Sequence, residues 1–210
     1  MQTNRYNPYT YIHKGIRREL TELLRIAANL DFADVETAEA FVRRLRLSVR
    51  LMHQHAEHED EVVDPRLQEF APKLARRVLA THKVLETHES EVLGLTASAV
   101  GNPAVGYTLY LALSRYTATQ FAHMSEEETD VAQELWLNMS DEEIIATEHS
   151  IVSHIPPQDM PVYLTWMIHG VNEAERTTFI NTLKKGAPPE AVAFAEEQAR
   201  AAREAQLAAV

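Results

Sequence analysis

Two His-x-x-x-Glu pairs, His55/Glu59 and His123/Glu127, fall inside the apolar stripes of long segments that contain almost no helix breakers. The first stripe reads Phe41, Leu45, Ser48, Met52, His55, Glu59, Val62, and the second Leu109, Leu113, Tyr116, Gln120, His123, Glu127, Val131, Leu135. Both alternate in steps of three and four, the period of one buried helix face. A carboxylate buried without a partner costs several kcal/mol or neutralises itself by a shifted pKa. A chain that turns two glutamates toward its core must therefore supply compensating charge there.

Other segments share this helical character. Glycine occurs only 6 times in 210 residues, so breakers are scarce enough to mark boundaries. Residues 1–10 read as an irregular arm with Pro8 as a breaker. A helix begins near Thr10, with His13, Ile16, Leu20, Leu23 and Ala27 at helical spacing, and is broken from Asn29 to Asp34. A second runs from about Glu36 to Val63 and stops before Asp64-Pro65. A third starts after Phe70-Ala71-Pro72 and ends near Leu95; residues 101–106 form a turn, and the fourth runs from about Tyr107 to Leu137. Ser140 with Glu143 forms a capping box for a fifth helix that ends at Pro156-Pro157. Helices around 162–169 and 172–185 follow. A last Ala- and Glu-rich helix from Pro189 has little to bury, so its end is expected to fray. No strand pattern is visible. Short connections favour antiparallel neighbours, so the expected fold class is all-α: an up-down-up-down four-helix bundle with extra C-terminal helices. The expected organisation is a bundle domain over 1–155, with its core at about 10–137, and a helical extension over 156–210.

Composition removes several function classes. There is no cysteine, which excludes disulfides, thiolate catalysis and iron–sulfur ligation. The formal charge of -11 and the lack of a basic face argue against nucleic acid as a partner. The first residues lack the apolar stretch of a signal peptide, and no apolar run approaches a membrane span, so no membrane partner and a cytoplasmic location are expected.

A metal explains the buried carboxylates. His13 heads the stripe of the first helix, and His82 lies in register on the third, within Leu74, Val78, His82, Leu85, Glu89, Val92. Each of four helices thus sends an imidazole inward, and two also send a glutamate. His-x-x-x-Glu occurs five times in the chain, so one instance means little; the coincidence on four stripes carries the reading. Hydrogen-bonded core histidines are the bland alternative. His53, His58, His149, His154 and His169 read as surface or helix-end residues. His88 borders the third stripe as an extra ligand or a supporting group. Tyr116 and Gln120 are candidates to hydrogen-bond ligands or a bound molecule, beside the plainer reading of core packing. Imidazole and carboxylate donors suit iron, and also manganese or zinc.

In the order His, His-x-x-x-Glu, His, His-x-x-x-Glu, carried by His13, His55-Ala-Glu-His-Glu59, His82 and His123-Met-Ser-Glu-Glu127, the chain resembles the hemerythrin-like proteins with the HHE cation-binding domain. The resemblance covers roughly residues 10–137 and implies a bundle of hemerythrin type. It implies two iron ions, oxo- or hydroxo-bridged, that bind dioxygen, nitric oxide or a related small ligand. His13 and His55 would serve one iron and His82 and His123 the other, with Glu59 and Glu127 bridging. Oxygen-carrying members have a further histidine one turn before the one matching His82; here that position is Val78, which points away from simple oxygen carriage and toward a more open iron. Glu86 could substitute as a carboxylate ligand, and Glu128 could replace Glu127. Residues 140–210 resemble a C-terminal extension of some bacterial members, which could cap the bundle or form a homodimer.

Three functions follow as expectations. The first is a di-iron binder of O2, NO or iron itself, for sensing, storage or detoxification. The second is a di-iron enzyme acting on peroxide or NO. The third is a metal-free helical interaction module.

Overall fold

The computed structural model describes residues 5–208, and every regular element among them is helical. In chain order these are α1 (Thr10–Asn29), α2 (Val35–Val62), α3 (Asp64–Phe70), α4 (Pro72–Ala99), α5 (Pro103–Glu126), a π-helical turn (Glu127–Val131), α6 (Ala132–Asn138), α7 (Asp141–His154), α8 (Met160–Gly170), α9 (Glu173–Leu183) and α10 (Pro189–Ala208). No helix among the described residues is long and apolar enough to cross a membrane.

Local chemistry sets the boundaries. Asp34 and Asn102 accept backbone N–H groups at the starts of α2 and α5, and Ser140 with Glu143 and Asn172 with Glu175 form reciprocal capping boxes. Two features depart from the sequence expectation. α2 ends at Val62, before Asp64-Pro65 as expected, but that dipeptide opens a further short helix, α3, because proline at the first turn lacks only an N–H that would be unsatisfied there. The fourth long segment is interrupted by the π-turn, where the Ala132 N–H reaches back to the Glu127 carbonyl, five residues away. The expected arm over 1–10 falls partly outside the described residues. Within them, the Arg5 guanidinium donates to the carbonyls of Trp136 and Met139 and to Asp141.

The chain divides into two compact units, one of Met1–Pro8 with Leu20–His154 and one of Tyr9–Glu19 with Ile155–Val210. The first half of α1 thus groups with the C-terminal helices. In the first unit α4 packs on α5, and α2 packs on α3, α4 and α7. A turn at Val100–Asn102, with Gly101 at φ 73°, joins α4 to α5. Leu45, Val49, Met52, Val78, Leu85, Val92, Leu109, Leu113 and Tyr116 are buried there.

In the second unit, Leu164, Ile168 and Ile180 pack with Ala195, Ala199 and Ala202 of α10. The last helix therefore does bury a face, against expectation: its alanines at i, i+4 and i+7 let it approach α8 and α9 closely. Arg176 is fully buried, donating to the carbonyls of Ile168 and Val171 at 2.9 Å and to Glu173 at 2.7 Å, which satisfies the open end of α8. Two glycines set the crossing of α1 and α8. A Cβ on Gly15 would stand 2.7 Å from the Trp166 carbonyl carbon, and one on Gly170 would stand 2.6 Å from the Gly15 nitrogen. Gly94, in mid-α4, meets nothing within 4 Å. Gly15→Ala or Gly170→Ala should destabilise the protein by about 1–3 kcal/mol in denaturant unfolding, whereas Gly94→Ala should stabilise it by about 0.5–1 kcal/mol.

Candidate metal centre

Glu59 on α2, His82 on α4, His123 on α5 and Glu127 at the start of the π-turn are all buried, and one ligand atom from each lies within 4.8 Å of all the others. The two imidazole Nε2 atoms are 2.8 Å apart. Glu127 Oε1 stands 3.3 Å from His123 Nε2 and 3.8 Å from His82 Nε2. An ion with bonds of about 2.1 Å holds neighbouring ligand atoms roughly 3–3.5 Å apart and opposite ones about 4.2 Å apart. The two Glu127 spacings, 3.3 and 3.8 Å, lie between those limits, the Nε2 atoms are slightly closer, and the donors are nitrogen and oxygen alone. Two carboxylates beside two imidazoles also form the set whose burial a cation best offsets. Among the described residues, these four form a buried His/Glu group that could hold a metal ion.

His55 reaches Glu59 as well, with Nε2 3.2 Å from Oε1 and 15% of its side chain exposed. Glu59 therefore faces both His55 and the four-residue group. His13 is fully buried on the portion of α1 that belongs to the second unit, stacked on Tyr9 with ring centroids 4.9 Å apart.

The residues named as supporting or alternative groups lie elsewhere. Glu86 is exposed on α4, and His88 is half-buried with Nδ1 3.3 Å from Thr119 Oγ1. Glu128 is half-buried, and its carbonyl accepts from Asn7. Tyr116 and Gln120 are buried and bond to each other, Gln120 Nε2 donating to the Tyr116 hydroxyl at 3.0 Å. That hydroxyl donates to Glu89 Oε1 at 3.2 Å, and Glu89 Oε2 lies 2.9 Å from His53 Nδ1. His53, read from sequence as outward-facing, is thus half-exposed yet tied to a buried carboxyl. Burial pushes the Glu89 carboxyl up, against the pull of His53 and Tyr116, and burial beside Glu89 raises the Tyr116 hydroxyl well above its ordinary value.

Asp60 was not singled out by sequence reasoning. Its Oδ1 is 2.6 Å from His82 Nδ1, the kind of carboxylate contact that orients a ligating imidazole. Beside Glu57 and Glu61 it reads as one more solvated acid off the Glu59 stripe, and nothing in the pattern separates it from those two. Burial lowers the His82 pKa, but the Asp60 bond and the charges of Glu59, Glu127 and Asp60 more than offset this and raise it to about 9. In metal-free protein a proton on His82 does part of what a bound cation would do.

No protein-family model matches the chain, and no curated protein or solved structure matches it either. The candidate site therefore rests on its own geometry.

A histidine whose folded pKa is raised stabilises the fold fully below its unfolded value of 6.5 and ceases to do so as pH passes through about 9. The thermal midpoint of metal-free protein should accordingly fall between pH 6.5 and 9, and Asp60→Asn should flatten that slope in differential scanning calorimetry.

Proposed function

We propose that this chain is a non-haem di-iron protein of hemerythrin type, a four-helix bundle whose ligands come from α1, α2, α4, α5 and the π-turn. It would take up dioxygen, nitric oxide or a related small ligand, or hold iron itself, for sensing, storage or detoxification. The observation that carries this reading is the convergence of buried Glu59, His82, His123 and Glu127 within 4.8 Å. A second ion is supported by Glu59, which faces His55 at 3.2 Å as well as the other three groups and would be shared between two ions. His13 is assigned by motif order and by its place at the head of the α1 stripe. Bound iron would supply a redox couple and open coordination positions. The chain's own part is to orient the imidazoles, exclude water and neutralise the cations with two carboxylates.

One observation favours a second reading, an enzyme acting on peroxide or NO. Val78, one turn before His82, is buried and offers no nitrogen where oxygen carriers of the resembled family have a histidine. A metal with fewer protein donors keeps more positions open to substrate.

Anaerobic loading followed by elemental analysis should find about two iron ions per chain. Glu59→Ala should lose most of the metal and His55→Ala a large part; full retention in Glu59→Ala would remove the assignment. Iron-loaded protein should evolve O2 from hydrogen peroxide if the enzyme reading holds, with His82→Ala inactive. No turnover of peroxide or NO leaves binding alone.

A further inference from the structure

The π-helical turn places an irregular backbone directly beside the metal centre. Glu127 is its first residue, and its carbonyl accepts the widened bond from Ala132. Such turns are rare inside α-helices and are frequently found at functional sites. Something must hold this one in its register.

We propose that Arg77 is a positioning residue for the metal centre: its guanidinium clamps both shoulders of the π-turn and so keeps Glu127 aimed inward. Arg77 lies on α4, with its Nε on Glu126 Oε1 and its Nη2 2.5 Å from Asp130 Oδ2. Glu126 directly precedes Glu127, and Asp130 lies three residues beyond it. Both carboxylates turn outward to one planar cation while Glu127 is buried with 2% exposure. A guanidinium can do this because its donors form a fixed fork; an ammonium cannot hold two separate carboxylates in the same directional way. Arg77 also lies five residues before His82 on the same helix. It therefore links the helix that carries one candidate ligand to the turn that carries another, across the pair whose ligand atoms stand 3.8 Å apart.

The geometry separates this role from general stabilisation. The Arg77 side chain is 57% exposed, and exposed ion pairs add little to global stability. The effect falls on where Glu127 points. Arg115 and Glu91 form a comparable exposed pair between the same two helices, α5 and α4, away from the turn, with exposures of 52% and 43%. It supplies the matched control.

The inference rests on the reading that Glu59, His82, His123 and Glu127 hold a metal. The full chain, stripped of metal, is titrated with Co2+ alone, whose visible absorption reports coordination geometry. Arg77→Ala should weaken Co2+ binding about tenfold and change the shape of the band. Arg77→Lys, which keeps the charge but not the fork, should show the same band change. Arg115→Ala should match the native protein in both. The thermal midpoint of metal-free Arg77→Ala should move by no more than about 4 °C. Native-like affinity and band in Arg77→Ala, or an equal loss in Arg115→Ala, would overturn the clamp. So would a collapse of the metal-free midpoint, which would make Arg77 a general stabiliser. Failure of the native protein to take up Co2+ would remove the metal reading and the clamp together; native uptake with an unaltered Arg77→Ala removes the clamp alone.

Discussion

Two carboxylates and two imidazoles share one buried space between α2, α4, α5 and the π-turn, and charge neutrality there is the constraint on which the rest of this interior depends. Glu59 and Glu127 cannot both remain ionised and unpaired away from water. In metal-free protein the proton held by His82, with its pKa raised to about 9, answers part of that need. A metal cation answers it more fully, because it takes the nitrogen lone pairs as well as the carboxylate charge. The groups whose burial is costly are thus the ones that could hold a metal ion.

A neighbouring carboxylate orients one of these side chains, and a separate polar network runs beside them. Asp60 holds one nitrogen of His82, leaving the other to face His123 and Glu127. Along α5 the buried polar residues Tyr116 and Gln120 are tied to each other and to Glu89, which in turn reaches His53 near the surface. The stripe of α5 and the π-turn is therefore polar over about three turns, from Tyr116 to Glu127, and Tyr116, Gln120 and His123 each bond a side chain of α4 or of their own helix. A helix with this much buried polarity keeps its register because a slip would strand several groups at once.

The second unit is built on a different device. Gly15 and Gly170 bring the backbones of α1 and α8 into direct contact, and buried Arg176 caps the end of α8. Small residues serve the same purpose on α10, where Ala195, Ala199 and Ala202 face the core. The half of α1 that carries His13 is gripped in this unit, so the C-terminal helices are structural partners of that segment.

The sequence alone determined the long helices and their inward faces. Three-and-four spacing placed Glu59, His82, His123 and Glu127 on buried stripes, and Ser140 with Glu143 marked the start of α7. These signals are local, because helix periodicity and caps depend on residues within one or two turns. Asp60, Arg77 and Glu89 gained their partners only through packing, since each meets a residue on another helix. Asp60 resembled its exposed acidic neighbours until His82 was brought against it, and Glu86, a possible substitute ligand by spacing, is turned to solvent on α4. The π-turn was also invisible: one extra residue in a helical turn leaves composition unchanged and alters only which carbonyl an N–H can reach. Sequence spacing decides which face of a helix a side chain occupies. What that face meets is decided by the rotation and crossing of whole helices, and that is a property of the tertiary structure.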